Sequence, residues 1–211
     1  MHPLQYGWVI YEQIQFYNES DKKKGYKNSF TYVCKFTNVE GFWLNWNKLE
    51  NVTNMFYDGE SRVIKRIDIT CPTDQPKDIS IEGQSIFKLG VEPLWEDPIN
   101  ENGGELRVTL NVTTHKTLAK FWESIVVLMI GGSLIDCEEI CGARILDKSK
   151  PKRKIIEYRL EIWFKDWSNE KFKEALKSRV LDICKEYDYK PDISFVRHEK
   201  AKYVWIVCFT Y

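Results

Sequence analysis

The segment Val91-Glu92-Pro93-Leu94-Trp95-Glu96-Asp97 sets a large aromatic face beside two carboxylates, and Gly90, Pro93 and Pro98 around it argue for a loop. An indole stacks on a flat ring. A carboxylate next to it accepts two parallel N–H bonds from the edge of that ring. The pair suits an electron-poor or cationic base that shows donors on one edge, such as guanine. Glu92, Glu96 and Asp97 could also be imagined as a hydrolytic set, but adjacent carboxylates on one loop do not flank a substrate bond. No phosphatase, nuclease or metal motif accompanies them, and His115 and His198 have no visible serine or cysteine partner arrangement. The residue types therefore point to recognition rather than catalysis, with no cofactor.

The elements that position this loop come from a chain of 211 residues, 43% of them hydrophobic, enough to bury a sizeable core. Lysine plus arginine equals aspartate plus glutamate at 31 each, which argues against a general nucleic-acid coat and leaves room for a local basic patch. The N-terminus has no apolar run of signal-peptide type, and the stretch near Ile125 to Ile130 is too short to span a bilayer. A soluble, cytoplasmic protein with no membrane partner is expected. The six cysteines (Cys34, Cys71, Cys137, Cys141, Cys184, Cys208) are expected to be reduced and half-buried.

Mixed aromatic and branched residues predict strands at Tyr6 to Tyr17 and Phe30 to Phe36. Thr37-Asn38-Val39-Glu40 predicts a capping box, with Thr37 as cap and Glu40 reaching back, ahead of a helix through Phe42, Trp43, Trp46 and Leu49. Residues 51–80 read as a long insertion or mobile loop, with a possible short strand at Val63 to Ile69. Alternation at Leu106, Val108, Leu110 and Val112 predicts a strand, and Leu118 to Met129 an amphipathic helix stopped by Gly131-Gly132. Strands follow at Ile140 to Leu146 and Ile155 to Phe164, joined by a strongly basic connection, Asp147 to Lys154. Ser168 is expected to cap a third helix, and strands at Ile193 to Arg197 and Tyr203 to Phe209 close the chain. With no internal repeat or interdomain linker, this reads as one α+β domain over 1–211.

In order along the chain come His2-Pro3-Leu4-Gln5 with Trp8, Val39-Glu40-Gly41-Phe42-Trp43, Phe87-Lys88-Leu89-Gly90-Val91-Glu92-Pro93-Leu94-Trp95-Glu96-Asp97, Asn102-Gly103-Gly104, Phe121-Trp122, Ile140-Cys141-Gly142-Ala143 and Ile162-Trp163. In these pieces the chain resembles the eukaryotic translation initiation factor 4E family, the messenger-RNA cap-binding proteins. The resemblance implies a curved antiparallel sheet with three helices on its convex face and a cap-binding slot on its concave face. It implies that Tyr26 and Trp95 sandwich 7-methylguanine, whose positive charge adds a cation–π term to stacking worth roughly 1–3 kcal/mol per face. Glu96 would accept N1–H and the 2-amino group of guanine, the Trp95 backbone N–H would reach O6, and Trp163 would lie near the N7 methyl group. Lys148, Lys150 and Arg159 match the positions that hold the triphosphate, with Lys152, Arg153 and Lys154 as extra charges between them.

On the convex face the resemblance implies a groove for a partner helix, that of a scaffold initiation factor of the 4G type or a 4E-binding repressor, lined by His2, Pro3, Val39, Trp43, Glu123 and Val127. Some positions depart from the family pattern. Tyr26 is typical of a homologous class that includes translational repressors, whereas Trp8 matches the initiation-factor class. Glu105 stands where the family often has a basic residue near the phosphates, and Glu123 and Ser124 stand where leucine and glutamate are usual. The expected function is cap binding with recruitment of a scaffold factor. The alternatives are a cap-binding repressor and an interaction module that has lost the cap slot.

Overall fold

Apolar side chains at every second strand position fall on one side of a single curved sheet, and charged ones on the other. The computed structural model describes residues 1–16, 26–67, 77–110 and 115–198. Its strands are β1 (Pro3–Phe16), β2 (Phe30–Asn38), β3 (Lys65–Ile67), β4 (Lys77–Lys88), β5 (Gly104–Leu110), β6 (Ile140–Asp147), β7 (Tyr158–Phe164) and β8 (Asp192–Arg197). They run in the order β2-β1-β4-β6-β7-β5-β8, with β3 paired to β4, and the pairings are antiparallel. The helices are α1 (Val39–Trp46), the single turn α2 (Val52–Met55), α3 (Leu118–Ile130) and α4 (Glu170–Glu186).

The three longer helices cover the convex face. Leu106, Val108 and Leu110 of β5 and Leu160, Ile162 and Phe164 of β7 share one buried cluster with Phe121 and Ile125 of α3 and Leu176 and Val180 of α4. Burial of apolar area at this seam, worth roughly 25 cal/mol per Å², holds helices to sheet. The alternate residues, Glu105 and Arg107 on β5, Arg144 on β6, and Arg159, Glu161 and Trp163 on β7, point to the concave side, because successive strand side chains alternate faces.

The helix starts differ from expectation by one residue. Asn38, not Thr37, caps α1, accepting the Gly41 N–H at 2.7 Å, and Glu40 reaches His2 instead of Thr37. Asn169, not Ser168, caps α4 through the Phe172 N–H at 3.1 Å, while Ser168 bonds Asp166. In both cases an asparagine carbonyl lies within reach of the third following N–H, a strong cap geometry.

The reading of 51–80 as a loop is corrected at its two ends: Val52, Met55, Phe56 and Tyr57 are buried, and residues 77–80 already belong to β4. The short strand expected within Val63 to Ile69 is β3 at 65–67, and residues 68–76 lie outside the described residues. Asp147 accepts the Tyr57 N–H at 2.8 Å and Tyr158 donates to the Tyr57 carbonyl at 2.6 Å, so buried polar bonds stitch this segment to the sheet. The strand expected at Tyr203 to Phe209 lies outside the described residues.

Candidate nucleotide-binding face

The loop after β4 is rigid because two polar side chains brace its backbone. The Asp97 carboxylate accepts the N–H groups of Glu92 (2.8 Å) and Ile99 (2.9 Å). The Asn100 amide donates to the carbonyls of Glu92 (2.8 Å) and Leu94 (2.9 Å). Gly90 enters the loop at φ +93, a left-handed conformation that favours glycine. At its exit, a Cβ on Gly103 would strike the Phe164 carbonyl, so only glycine lets the chain pass β7 this closely. The braced loop leaves Trp95 half-buried and Glu96 exposed.

Lys27 donates to Glu92 at 2.7 Å. This ion pair ties the 3-10 turn Tyr26–Ser29 to the loop that carries Trp95. The backbone of Tyr26 is thereby brought alongside the loop; its side chain lies outside the description.

Trp95 stacks on His198 (ring centroids 6.5 Å apart, planes at 25°), and His198 packs on Trp163 at 4.4 Å. The His198 Nδ1 donates to the Asn100 carbonyl at 2.7 Å, which fixes the ring against the loop. Trp163 is 0% exposed, edge-on to Phe87 at 5.2 Å, with the Arg144 guanidinium 4.9 Å over its ring. It is the floor under Trp95 rather than an open platform. Tyr11 on β1 and Cys141 on β6 complete this small cluster. Burial pushes the Cys141 thiol up to about 12, leaving it unreactive.

Beyond Trp163 the concave floor is ionic. Arg107, Glu161 and Arg144 are cross-strand neighbours on β5, β7 and β6. Glu161 accepts from the Arg144 Nε and, at 3.4 Å, from the Trp163 indole N–H, and lies 3.8 Å from the Arg107 Nε and 3.7 Å from Arg159. Burial acts to raise the Glu161 carboxyl pKa, but Arg144, Arg107 and Arg159 outweigh it and hold it below the usual range.

Glu105, the expected obstacle to phosphate, is buried and bonded to Arg107, with His198 3.9 Å away. Burial first and the Glu161 charge second push its carboxyl up to about 7, against the pull of Arg144 and Arg107. A carboxyl raised in the folded state adds stability that is full below its ordinary value of 4.5 and is lost as pH rises through about 7. Glu105→Gln is therefore expected to flatten the fall in stability between pH 5 and pH 8 by up to about 3 kcal/mol, measured by urea denaturation at both pH values.

The six basic residues expected at the phosphates divide into groups. Arg159 sits beside Glu161, and Lys148 is half-buried, its pKa lowered by burial, with Glu82, Glu161, Arg144 and Arg159 as its charged neighbours. Lys150, Lys152 and Arg153 line an adjoining groove that shares Lys148. Lys154 is exposed in a left-handed conformation that closes the turn Pro151–Arg153.

On the convex side, Val39 and Trp43 are 36% and 37% exposed on one stripe of α1, and Glu123 and Val127 are half-buried on α3. The Trp46 indole donates to Glu123 at 2.7 Å, linking the two helices and occupying that carboxylate. Pro3 is exposed beside them, while the His2 ring and backbone N–H both bind Glu40. The N–H bond from His2 is the largest of the effects that hold the Glu40 carboxyl down to about 2.

Sequence reading missed Tyr11, Arg107, Arg144, Glu161 and the packing role of His198. No helix among the described residues is long and apolar enough to cross a membrane.

This geometry, a braced aromatic–acid loop over a curved antiparallel sheet backed by helices, has known counterparts. The family model "Eukaryotic initiation factor 4E" matches residues 3–203. The chain belongs to the eukaryotic initiation factor 4E family. It is 31% identical over 205 residues to eukaryotic translation initiation factor 4E-1 of Citrullus lanatus, covering 95% of this chain and 70% of that protein. To eukaryotic translation initiation factor 4E-1 of Zea mays it is 28% identical over 203 residues, covering 95% of this chain and 75% of that one. Among solved structures, the complex of C. elegans eIF4E-3 with the 4E-binding protein Mextli and cap analog superposes with a TM-score of 0.69 at 18% identity over 95% of each chain, a likeness of fold.

Proposed function

We propose that this protein binds the 7-methylguanosine cap of messenger RNA on its concave face and a helical segment of a scaffold or repressor protein on its convex face. The observation that carries the first part is the Lys27–Glu92 ion pair, which sets the Tyr26 turn beside the rigid loop of Trp95 and Glu96. Two rings on facing segments clamp a flat cation, and a free carboxylate beside one of them reads guanine through N1–H and the 2-amino group. Trp163 supports the clamp from below through His198. Arg159 and Lys148 supply the charge for the triphosphate, and Glu105 opposes it little because Arg107 pairs it and burial keeps it partly protonated.

Family membership and the cap analog and 4E-binding protein named with the C. elegans fold relative support this reading. The work is binding, carried out in the cytoplasm, and capped RNA leaves the protein intact. Tryptophan fluorescence tests it in one titration. We expect 7-methyl-GTP to quench emission at concentrations at least about tenfold below GTP, the margin of a desolvated cation–π contact. Equal affinity for both nucleotides would defeat the proposal.

The convex part rests on the exposed Val39–Trp43 stripe beside Val127. Trp43→Ala is expected to weaken binding of a peptide with a tyrosine, four spacers, a leucine and an apolar residue by roughly 2 kcal/mol or more, as for an interface anchor, with cap affinity unchanged. Calorimetric titration with the peptide and with 7-methyl-GTP reads both. A cap-binding repressor is the second reading, favoured by Tyr26, and competition between the peptide and a scaffold-factor fragment separates the two.

A further inference from the structure

The groove beside the β6–β7 turn carries more positive charge than a triphosphate at Arg159 and Lys148 uses. It encloses about 450 Å³ and is lined by Arg62, Lys148, Lys150, Lys152 and Arg153, with the Gln15 amide at one side. Two acids line it as well. Glu82 stands near Lys148, and Asp147 is engaged, accepting the Arg62 guanidinium at 2.7 Å and the N–H groups of Tyr57 and Ser149 at 2.8 and 3.0 Å. Among the described residues five cations against two acids leave a surplus of three.

Arg62 is preorganised. Asp147, fully buried, pins one end of its guanidinium, and Gln15 takes a long bond of 3.4 Å from the other. Its Nε is buried and has no acceptor among the described residues, and the same holds for the Arg159 Nε. Buried donors without acceptors are costly, and an anionic oxygen is the acceptor that relieves them best. Lys148 belongs both to the groove and to the charged neighbourhood of Arg159, so the groove continues the phosphate end of the concave floor. No aromatic side chain among the described residues lines it. Its described lining therefore offers phosphates charge and offers bases nothing to stack on, which suits a sugar–phosphate backbone more than sequence readout.

We propose that this groove binds the phosphodiester backbone of the first nucleotides after the cap, which makes the single-stranded RNA itself, and not the cap alone, the ligand of this face. The proposal rests on the cap-binding reading and extends it. Each phosphate taken up releases counterions from the strand, so the added affinity depends on salt and not on base identity.

The test compares 7-methyl-GTP with capped hexanucleotides of two unrelated sequences, by fluorescence titration at low and high salt. Capped RNA of either sequence is expected to bind about tenfold more tightly at low salt, with the gain shrinking as salt rises. Arg62→Gln is expected to remove the gain and leave 7-methyl-GTP affinity as it was. The double variant Lys152→Gln/Arg153→Gln, on an exposed turn where folding is safe, is expected to reduce the same ratio. An uncapped hexanucleotide reads the groove alone: weak, salt-sensitive binding that Arg62→Gln abolishes supports it even where 7-methyl-GTP fails to bind and the cap reading falls. Equal affinity for 7-methyl-GTP and capped RNA overturns the inference, as does a gain that survives in both variants.

Discussion

Glu96→Ala should lower the affinity for 7-methyl-GTP by two orders of magnitude or more. The carboxylate is exposed and makes no hydrogen bond or ion pair with the described residues, so it is available to accept both donors of guanine. Two charge-assisted bonds at roughly 1.5–3 kcal/mol each sum to roughly 3–6 kcal/mol, and 1.4 kcal/mol is a factor of ten. Glu96→Gln keeps the shape but turns one acceptor into a donor that meets N–H head-on, so it should fare little better. Trp95→Ala removes a stacking face worth roughly 1–3 kcal/mol together with its cation–π contribution. Neither change touches the bonds by which Asp97 and Asn100 shape the loop, so the fold should survive both. Isothermal titration with 7-methyl-GTP, beside thermal melts of each variant, checks this. A Glu96→Ala protein that binds within a few-fold of the parent would remove the carboxylate from the recognition scheme.

The second large effect is on stability. Glu161 is buried among Arg144, Arg107 and Arg159 and lies within ion-pair distance of all three. Glu161→Ala leaves their charges facing one another, with Glu105 still paired to Arg107, and Arg144 is itself buried. Breaking a buried pair by removing one member costs about 3–5 kcal/mol, a large part of a domain's net stability. The carboxyl pKa is depressed in the folded protein. Its contribution is therefore present above the ordinary value of 4.5 and is lost as pH falls through the lowered value. The alanine variant should accordingly lose less stability than the parent on acidification, while being much weaker at neutral pH. Urea midpoints at pH 7 and pH 3 measure both differences. A loss below about 1 kcal/mol at pH 7 would mean that water screens the arginines and that the floor is not the dry ionic lattice its geometry suggests.

Much of this was legible in the chain itself. Clean alternation at Leu106, Val108 and Leu110 marks β5, and helical spacing from Leu118 to Met129 marks α3, because each pattern has one period and one buried face. The 52–57 segment escaped notice because it is held by isolated buried side chains and by bonds to Asp147 and Tyr158, which are distant in sequence. The ionic floor escaped for a different reason. Arg159, Glu161 and Trp163 stand at alternate positions and so share a face, but the apolar residues between them drew the eye to the core. Reading the polar half of the same alternation puts Glu161 on one face with Arg159, while Arg107 and Arg144 join it only through the strand register. Tyr26 as a stacking ring was reached only by family resemblance, since no spacing in the sequence ties that turn to Trp95. The Lys27–Glu92 contact that joins them spans 65 positions.

The four braces of the Leu89–Gly103 segment all run from the Asp97 carboxylate or the Asn100 amide to main-chain atoms. None depends on which side chain occupies position 95 or 96. On the proposed reading the segment is in effect an interchangeable cassette: its braces come from Asp97 and Asn100, and its ligand contacts from Trp95 and Glu96. Ligand preference can therefore drift, or be re-engineered, by substitution at the second pair without rebuilding the first.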